Sequence, residues 1–195
     1  MYRIKIIEDP KESKLRQAVL MELVRCSWSG LDWGTLEVGR TEKGKPYLRN
    51  GADRQSVQGV HFSISHSGGL WACVVASCPC GLDLQELRQA DYGRLAARFF
   101  TTAEQQYVET AGLLGFYEIW VRREALAKYT GLGFFGMSEH LPCLVDCEGR
   151  PARTVMWEEH PVVFEEVKAP EGYLAVWCHE IGMVAVQSDV EGAEA

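Results

Sequence analysis

One helical stretch constrains the fold of this chain more than any other: residues 116–133, FYEIWVRREALAKYTGLG. Trp120, Glu124 and Lys128 recur at every fourth position, so they form one stripe along a helix. Two glycines at the end of the stretch stop the helix, because glycine reaches the left-handed conformation at little cost. A Glu and a Lys one turn apart usually form a weak surface ion pair. A carboxylate beside an indole lies in a lower dielectric, which favours pairing or metal binding.

The elements around this helix predict an α+β protein. The predicted strands cover 2–7, 35–38, a hairpin over 61–76, 80–84, 141–147, 162–167, 174–179 and 183–187, and the predicted helices cover 11–25, 91–100 and 104–110. This order indicates two pseudo-symmetric halves, each a helix packed on a small antiparallel sheet. The halves are expected over residues 1–84 and 85–188, and residues 189–195 are expected to form a flexible tail.

Charge and cysteine content limit the classes of function. The 195 residues carry a net charge of -7, which gives no electrostatic support to a nucleic-acid partner. Residues 1–60 carry +3 and the remainder -10, so the front half can accept an anionic ligand. Seven cysteines without a secreted framework, and no signal-peptide or membrane-span pattern, predict a cytoplasmic protein with no membrane contact. The cysteine spacings are poor for a zinc site and favour buried apolar thiols.

An acidic residue interrupts the apolar strand CGLDL, at Asp83. Burial of an unpaired carboxylate costs on the order of several kcal/mol of folding free energy, so Asp83 needs a partner. A cation is the simplest partner, and the alternative is that Asp83 caps the following loop. Pleating places Gln85 on the same face as Asp83.

Two upstream segments have the donors that an anion requires. Lys45 lies between Gly44 and Pro46 in a predicted turn. Ser65 and His66 end a strand that enters a glycine turn, where hydroxyls, turn amides and an imidazolium can all donate. Arg16 lies on the first predicted helix. Each of these side chains has an ordinary alternative as a structural or solvated residue.

Three motifs in order resemble the signatures of the surfactin-type (Sfp-type) 4′-phosphopantetheinyl transferases: CGLDLQE, RFFTTAEQ and WVRREALAK. Upstream, GKPY and FSISHSGG resemble the two N-terminal motifs of that family. The resemblance implies two α+β halves with the active site in the cleft between them. It also implies transfer of phosphopantetheine from coenzyme A to a serine of an acyl or peptidyl carrier protein, with Mg²⁺, and release of adenosine 3′,5′-bisphosphate.

The resemblance assigns roles by position in these motifs. Asp83 and Glu124 match metal carboxylates, and Glu124 would also serve as, or position, the base for the carrier serine. Lys128 matches a lysine that faces the phosphates. The residues that match coenzyme A contacts are Arg16, Lys45, Ser65 and His66. Glu104 matches the acidic residue of the second motif.

One residue departs from the family pattern. Many relatives have Glu where this chain has Gln85, whose amide oxygen can ligate a metal but brings no charge. We therefore expect weaker Mg²⁺ binding. Gln85 and the short stretch before the first helix support an alternative, a non-catalytic module of this fold that binds coenzyme A or a carrier domain. A purely structural α+β protein is a third possibility, in which the shared motif residues are coincidental.

The sequence does not distinguish carriers of fatty-acid, polyketide and peptide synthases. Both predicted halves lie in one chain, so we expect that a monomer can close its own site.

Overall fold

The structure, a computed structural model, describes residues 1–28, 35–133, 142–181 and 190–191. The strands in these ranges are β1 (Tyr2–Glu8), β2 (Leu36–Arg40), β3 (Pro46–Asn50), β4 (His61–Ser67), β5 (Leu70–Ala76), β6 (Cys80–Glu86), β7 (Thr154–Trp157), β8 (His160–Glu166), β9 (Tyr173–Glu180) and β10 (Val190–Glu191). The helices are α1 (Ser13–Ser27), α2 (Tyr92–Phe99) and α3 (Thr102–Thr130). The strand orders of the sheets are β10-β1-β5-β4, β2-β3 and β6-β9-β8-β7.

Alternating side chains arrange these elements in four layers. Trp71 and Cys73 of β5 share a core cluster with α1, whereas Ala72 and Val74 share another with β6 and β9. A third cluster joins α2 and α3 to the far face of the second large sheet. The order is therefore helix, sheet, sheet, helix, because central strands such as β5 and β9 bury both of their faces. This architecture confirms the predicted α+β fold of two halves.

The predicted limits of the two halves stay a prediction. β6 runs from Cys80 to Glu86, across the expected boundary between residues 84 and 85. Within the expected tail, Val190 pairs in parallel with Ile4 of β1.

The central helix begins earlier than its sequence pattern indicated. Thr101 and Glu104 form a capping box, and Gly131 ends the helix with a φ of 72°. Two helical segments that the sequence separates join into α3, with a non-helical joint at Gly112 (φ 66°). Glycine tolerates this conformation, so the chain bends without an intervening loop.

A buried ion pair anchors α3. The Glu104 side chain is fully buried and pairs with Arg123, also buried, two thirds of the way along the helix. Its other hydrogen bonds come from the backbone N–H groups of Thr101 (2.7 Å) and Leu144 (2.8 Å). These contacts give Glu104 a structural role, since a buried charge persists only when it is fully paired.

One predicted strand is wrong. Residues 142–147 make only an isolated bridge between Val145 and Pro151, because Asp146 folds the segment into a turn. The Asp146 carboxylate accepts from the backbone N–H groups of Glu148 and Arg150, each at 2.9 Å. The strands that were not predicted from sequence are β3, β7 and β10, and the predicted strand over 183–187 lies outside the described residues. No helix in the described ranges is long and apolar enough to cross a membrane.

α3 crosses β6 at a glycine. A Cβ atom at Gly81 would overlap the carbonyl oxygen of Ala125 and lie 2.6 Å from the backbone nitrogen of Tyr129. Both obstacles are backbone atoms, so the helix itself must move to admit a side chain. The absence of a side chain at position 81 therefore sets the distance between β6 and α3.

We predict that Gly81→Ala destabilises the protein by about 2 kcal/mol or more, because overpacking here displaces a helix rather than a side chain. Equilibrium unfolding in urea measures the change. The matched control is Gly93→Ala, where an added Cβ has no neighbour within 4 Å. Equal stability of the two variants would contradict the close-contact argument.

Candidate active site

The free edge of β6 is joined to β4 by serine side chains. β6 pairs with β9 on one side only, which leaves alternate N–H groups on its other edge without strand partners. Three serines on β4 accept from these groups: Ser63 from Leu82 (3.0 Å), Ser65 from Leu84 (3.2 Å) and Ser67 from Glu86 (3.0 Å). We call these three residues the serine ladder. It fixes the position of β6 relative to the N-terminal sheet.

Asp83 lies on β6 between two rungs of the ladder and is 2% exposed. Its carboxylate oxygen Oδ1 accepts from Lys128 Nζ (2.6 Å) and from the Ser65 hydroxyl (2.8 Å). Lys128 Nζ also donates to Ser65 Oγ at 2.9 Å. The predicted cationic partner of buried Asp83 is therefore Lys128, and Ser65 holds both charged groups in place.

Gln85 contacts Asp83 through its amide nitrogen. Nε2 donates to Asp83 Oδ2 at 3.1 Å, and Oε1 accepts from the Ser67 hydroxyl at 3.4 Å. The structure thus places Gln85 on the expected face, as a hydrogen-bond donor to Asp83. A role as a metal ligand requires the oxygen instead, and it stays a prediction.

Glu124 is half-buried one turn before Lys128 and lines a cleft. Burial, together with the negative charge of Asp83, raises the pKa of its carboxyl group to about 7, although Lys128 opposes the shift. Among the described residues, no hydrogen bond or ion pair engages this carboxylate. Glu124 can therefore exchange a proton near neutral pH or accept a cation.

The third residue of the predicted stripe faces other aromatic side chains. The Trp120 ring lies 5.4 Å from the ring of Phe116 and 6.2 Å from that of Phe99, measured between centroids. Trp120 packs against the aromatic core rather than the described lining of the cleft. This packing sets the orientation of the helix that presents Glu124 and Lys128 to the cleft.

The cleft has a volume of about 260 Å³ and lies between α3, β4 and the turn that joins β2 to β3. Its charged lining residues are Arg40, Lys43, Lys45, Glu124 and Lys128. Among the described residues of the lining, four cations against one carboxylate favour an anionic ligand. Arg40 and Lys43 were not singled out by the sequence analysis, and only their place beside GKPY pointed to them.

Lys45 connects the β2–β3 turn to the end of α3. Its Nζ donates to the backbone carbonyl of Tyr129 at 2.5 Å, and burial lowers its pKa. A cation at a helix C-terminus is favourable, because carbonyl groups there have no helical partner. Lys45 therefore has a structural contact besides its position in the cleft.

Arg16 and His66 form a separate cluster with Asp9. Arg16 binds both carboxylate oxygens of Asp9, at 2.7 and 2.6 Å. This pairing with Arg16 is the main cause of the lowered pKa of Asp9, and the charge of His66 adds to it. His66 follows Ile64, a cleft residue, by two positions on the same face of β4. The structure therefore brings six predicted site residues, Lys45, Ser65, Asp83, Gln85, Glu124 and Lys128, to the cleft and its floor, and Arg16 and His66 to the next stretch of β4.

The donor atoms near Asp83 suit a hard divalent cation. Asp83, Glu124 and Gln85 provide only oxygen ligands, and Mg²⁺ is commonly held by one or two carboxylates plus substrate phosphates. Within the described residues no cluster of three or more His, Cys, Asp and Glu side chains forms a self-sufficient metal cage. The Glu124 carboxylate lies beside Asp83 and has no partner among the described residues, so these oxygen atoms together suit a divalent cation.

The sequence analysis missed Ser63 and Ser67. The signal was present, since Ser63, Ser65 and Ser67 alternate with apolar Phe62 and Ile64 on a strand that is buried on both faces. Buried hydroxyls require partners. The partners are backbone groups of β6, whose free edge follows from tertiary structure alone.

Sequence comparisons agree along the whole motif region. Residues 79–178 match the family described as the 4′-phosphopantetheinyl transferase superfamily. Residues 1–80 match the family described as 4′-phosphopantetheinyl transferase, N-terminal. The first match covers more than half of the chain and includes Asp83, Glu124 and Lys128.

Three curated proteins are similar to this chain. A 4′-phosphopantetheinyl transferase of Bacillus subtilis is 32% identical over 108 residues, 53% of this chain and 45% of that protein. The 4′-phosphopantetheinyl transferase psf-1 of Bacillus pumilus is 28% identical over 140 residues, 69% and 57% of the two chains. The 4′-phosphopantetheinyl transferase HetI of Nostoc sp. is 32% identical over 126 residues, 62% and 52%. The chain spans about half the length of the curated relatives it matches.

We predict that Glu124→Gln stabilises the metal-free protein at pH 8 by about 1–3 kcal/mol. The folded protein binds the Glu124 proton more tightly than the unfolded chain does, so this residue costs stability as the pH rises from about 4.5 to about 7. The advantage of the variant should therefore vanish below about pH 4.5. Urea unfolding with a chelator at pH 4 and pH 8 measures it.

The control for this measurement is Glu109→Gln, an exposed position on the same helix. An equal effect of the two substitutions at pH 8 would contradict the environment assigned to Glu124.

Proposed function

The chain belongs to the 4′-phosphopantetheinyl transferase superfamily and is of the surfactin type, and from this we propose that it transfers 4′-phosphopantetheine from coenzyme A to a serine of an acyl or peptidyl carrier protein. The observation that carries the proposal is the cationic cleft above Asp83. It offers Lys45 and Lys128 to phosphates and an unpaired carboxylate, Glu124, to a proton.

Phosphoryl transfer requires mainly alignment and charge neutralisation. The carrier serine oxygen forms a bond to the phosphorus that bears the pantetheine arm, and the bond from that phosphorus to the bridging oxygen breaks. Adenosine 3′,5′-bisphosphate leaves with the electron pair. We assign the serine proton to Glu124, whose carboxylate lines the cleft and has no hydrogen-bond partner among the described residues.

Mg²⁺, held by Asp83 and Glu124 with Gln85 beside them, would neutralise charge on the pyrophosphate. The amide of Gln85 now donates to Asp83 and keeps that carboxylate oriented. Ser65 orients Asp83 and Lys128 together. Lys128 and Lys45 are proposed to bind phosphate oxygens as point charges.

Residues on both sides of the cleft come from one chain, which supports a monomer as the working unit. We assign coenzyme A contacts mainly to the N-terminal half (1–84) and the metal and base to the C-terminal half (85–188). A cytoplasmic location is proposed because Cys73, Cys80 and Cys178 are buried as free thiols.

The competing function is a non-catalytic module that binds coenzyme A or a carrier domain, and Gln85 in place of a carboxylate favours it. The two functions separate when the protein is incubated with Mg²⁺, coenzyme A and an apo carrier and the carrier is weighed. A mass gain equal to phosphopantetheine supports transfer. Tight coenzyme A binding without any mass gain would overturn transfer in favour of the binding module.

We predict that Glu124→Gln lowers turnover by at least about 10²-fold, the low end for loss of a general base. Coenzyme A affinity should change little, since the substitution keeps the shape of the side chain. Steady-state rates at saturating coenzyme A measure the effect, and Glu109→Gln serves as the control on the same helix. Near-normal turnover of Glu124→Gln would remove Glu124 from the chemistry.

We predict that His66→Ala weakens coenzyme A binding by about 1–3 kcal/mol, the cost of a charge-assisted hydrogen bond, but leaves dephospho-coenzyme A binding unchanged. The reason is that the cluster of Arg16 and His66 lies beyond the cleft, where the 3′-phosphate is proposed to extend. Lys45→Ala should weaken both ligands alike. Calorimetric titrations measure the affinity of each variant for both ligands. If His66→Ala lost the same affinity for both, His66 would not contact the 3′-phosphate.

A further inference from the structure

Both carboxylate oxygens of Asp83 are already occupied by donors of the chain itself. Oδ1 accepts from Lys128 and Ser65, and Oδ2 accepts from Gln85. Asp83 is 2% exposed, so bulk water does not compete for these bonds. Oδ1 has no acceptor site left and Oδ2 has one, so a metal ion on Asp83 either displaces Lys128 from Oδ1 or lies on Oδ2 beside the positive charge of that lysine.

Lys128 is the donor that most opposes a metal ion, because the other two donors, Gln85 and Ser65, are neutral. It carries a positive charge beside the position of the ion, which repels any second cation. Its side chain is 29% exposed and borders the cleft, so the ammonium has a route away from Asp83. Ser65, by contrast, is tied to the backbone of Leu84 and cannot follow.

We propose that the Lys128 ammonium is a tethered cation that takes the place of the metal beside Asp83, and that a divalent ion binds there only by exchange with it. The exchange replaces one positive charge by two, while the released ammonium moves into the cleft. There it meets the Glu124 carboxylate, which has no partner among the described residues, or a phosphate group. Metal binding and phosphate binding are thereby coupled through one lysine.

This inference rests on the metal role of Asp83 in the proposed function, and it adds the reason why Asp83 stays buried and charged without a metal. It predicts that substitution of Lys128 changes metal affinity in the opposite direction to substitution of an ordinary metal-site residue. Removal of the Lys128 charge should improve metal binding, although the same charge is needed for phosphates.

The test is Mn²⁺ binding without coenzyme A or carrier, followed by the electron paramagnetic resonance signal of free Mn²⁺. We expect Lys128→Met to bind Mn²⁺ at least about 10-fold more tightly than the wild type, since a charge adjacent to the site is removed. Lys43→Met removes a charge from the same cleft at an exposed position, and we expect a change of about 3-fold or less. Equal effects of the two variants, or weaker binding by Lys128→Met, would overturn the proposal.

A double variant locates the effect. Asp83→Asn combined with Lys128→Met should lose the gain in Mn²⁺ affinity, because the carboxylate that receives the ion is absent. A gain that persists in the double variant would place the ion elsewhere and contradict the exchange.

A measurement on the wild type covers the case in which Lys128→Met fails to fold. Mg²⁺ should increase the rate at which an amine-acetylating reagent modifies Lys128, while the rate at Lys43 in the same sample stays constant, as read by mass spectrometry. An unchanged or slower rate at Lys128 would overturn the exchange. Neither measurement includes a carrier, so failure of the proposed transfer reaction and failure of this inference give different results.

Discussion

The charge of Asp83 is the constraint on which the rest of this site depends. A carboxylate inside a β-sheet is stable only with a counter-charge and a complete set of hydrogen-bond donors. Lys128, Ser65 and Gln85 provide them, each from a different position along β4, β6 or α3. Because Asp83 is satisfied only when α3 lies across β6, the ion pair also fixes the helix that carries Glu124.

Besides the apolar cluster between the two large sheets, polar contacts between β4 and β6 join the two halves. β6 is an edge strand, and its outward N–H groups would be costly if they were buried without partners. The serine ladder satisfies them while leaving the side chains of Asp83 and Gln85 free to face α3. A main-chain ladder in the same place would join β4 to β6 but would not provide the Ser65 hydroxyl that bridges Asp83 and Lys128.

Stability and function use different ion pairs on the same helix. Glu104 and Arg123 are almost fully buried and form an ion pair between the first turn of α3 and a later turn of the same helix. This pair holds α3 in place. Lys128 is partly exposed, and Glu124 has no partner among the described residues. The rigid pair of Glu104 and Arg123 thus positions Glu124 and Lys128, whose contacts can be exchanged. This arrangement is expected where a ligand must replace an internal contact.

The sequence by itself determined the central helix, its glycine end and the hairpin of β4 and β5, because periodicity and turns are local properties. It also indicated that Asp83 needs a partner, most simply a cation, because a charge in an apolar strand is costly when unpaired. It did not identify which cation, nor the partners of Ser63 and Ser67, because these depend on residues 18 to 63 positions apart being brought together. The segment at 142–147 shows the same limit: its β character is real, but Asp146 draws the backbone into a turn. Only the tertiary structure decided that Trp120 packs into the core while Glu124 and Lys128 face the cleft. All three residues share one helical stripe, and the neighbouring elements determine which part of that stripe is buried.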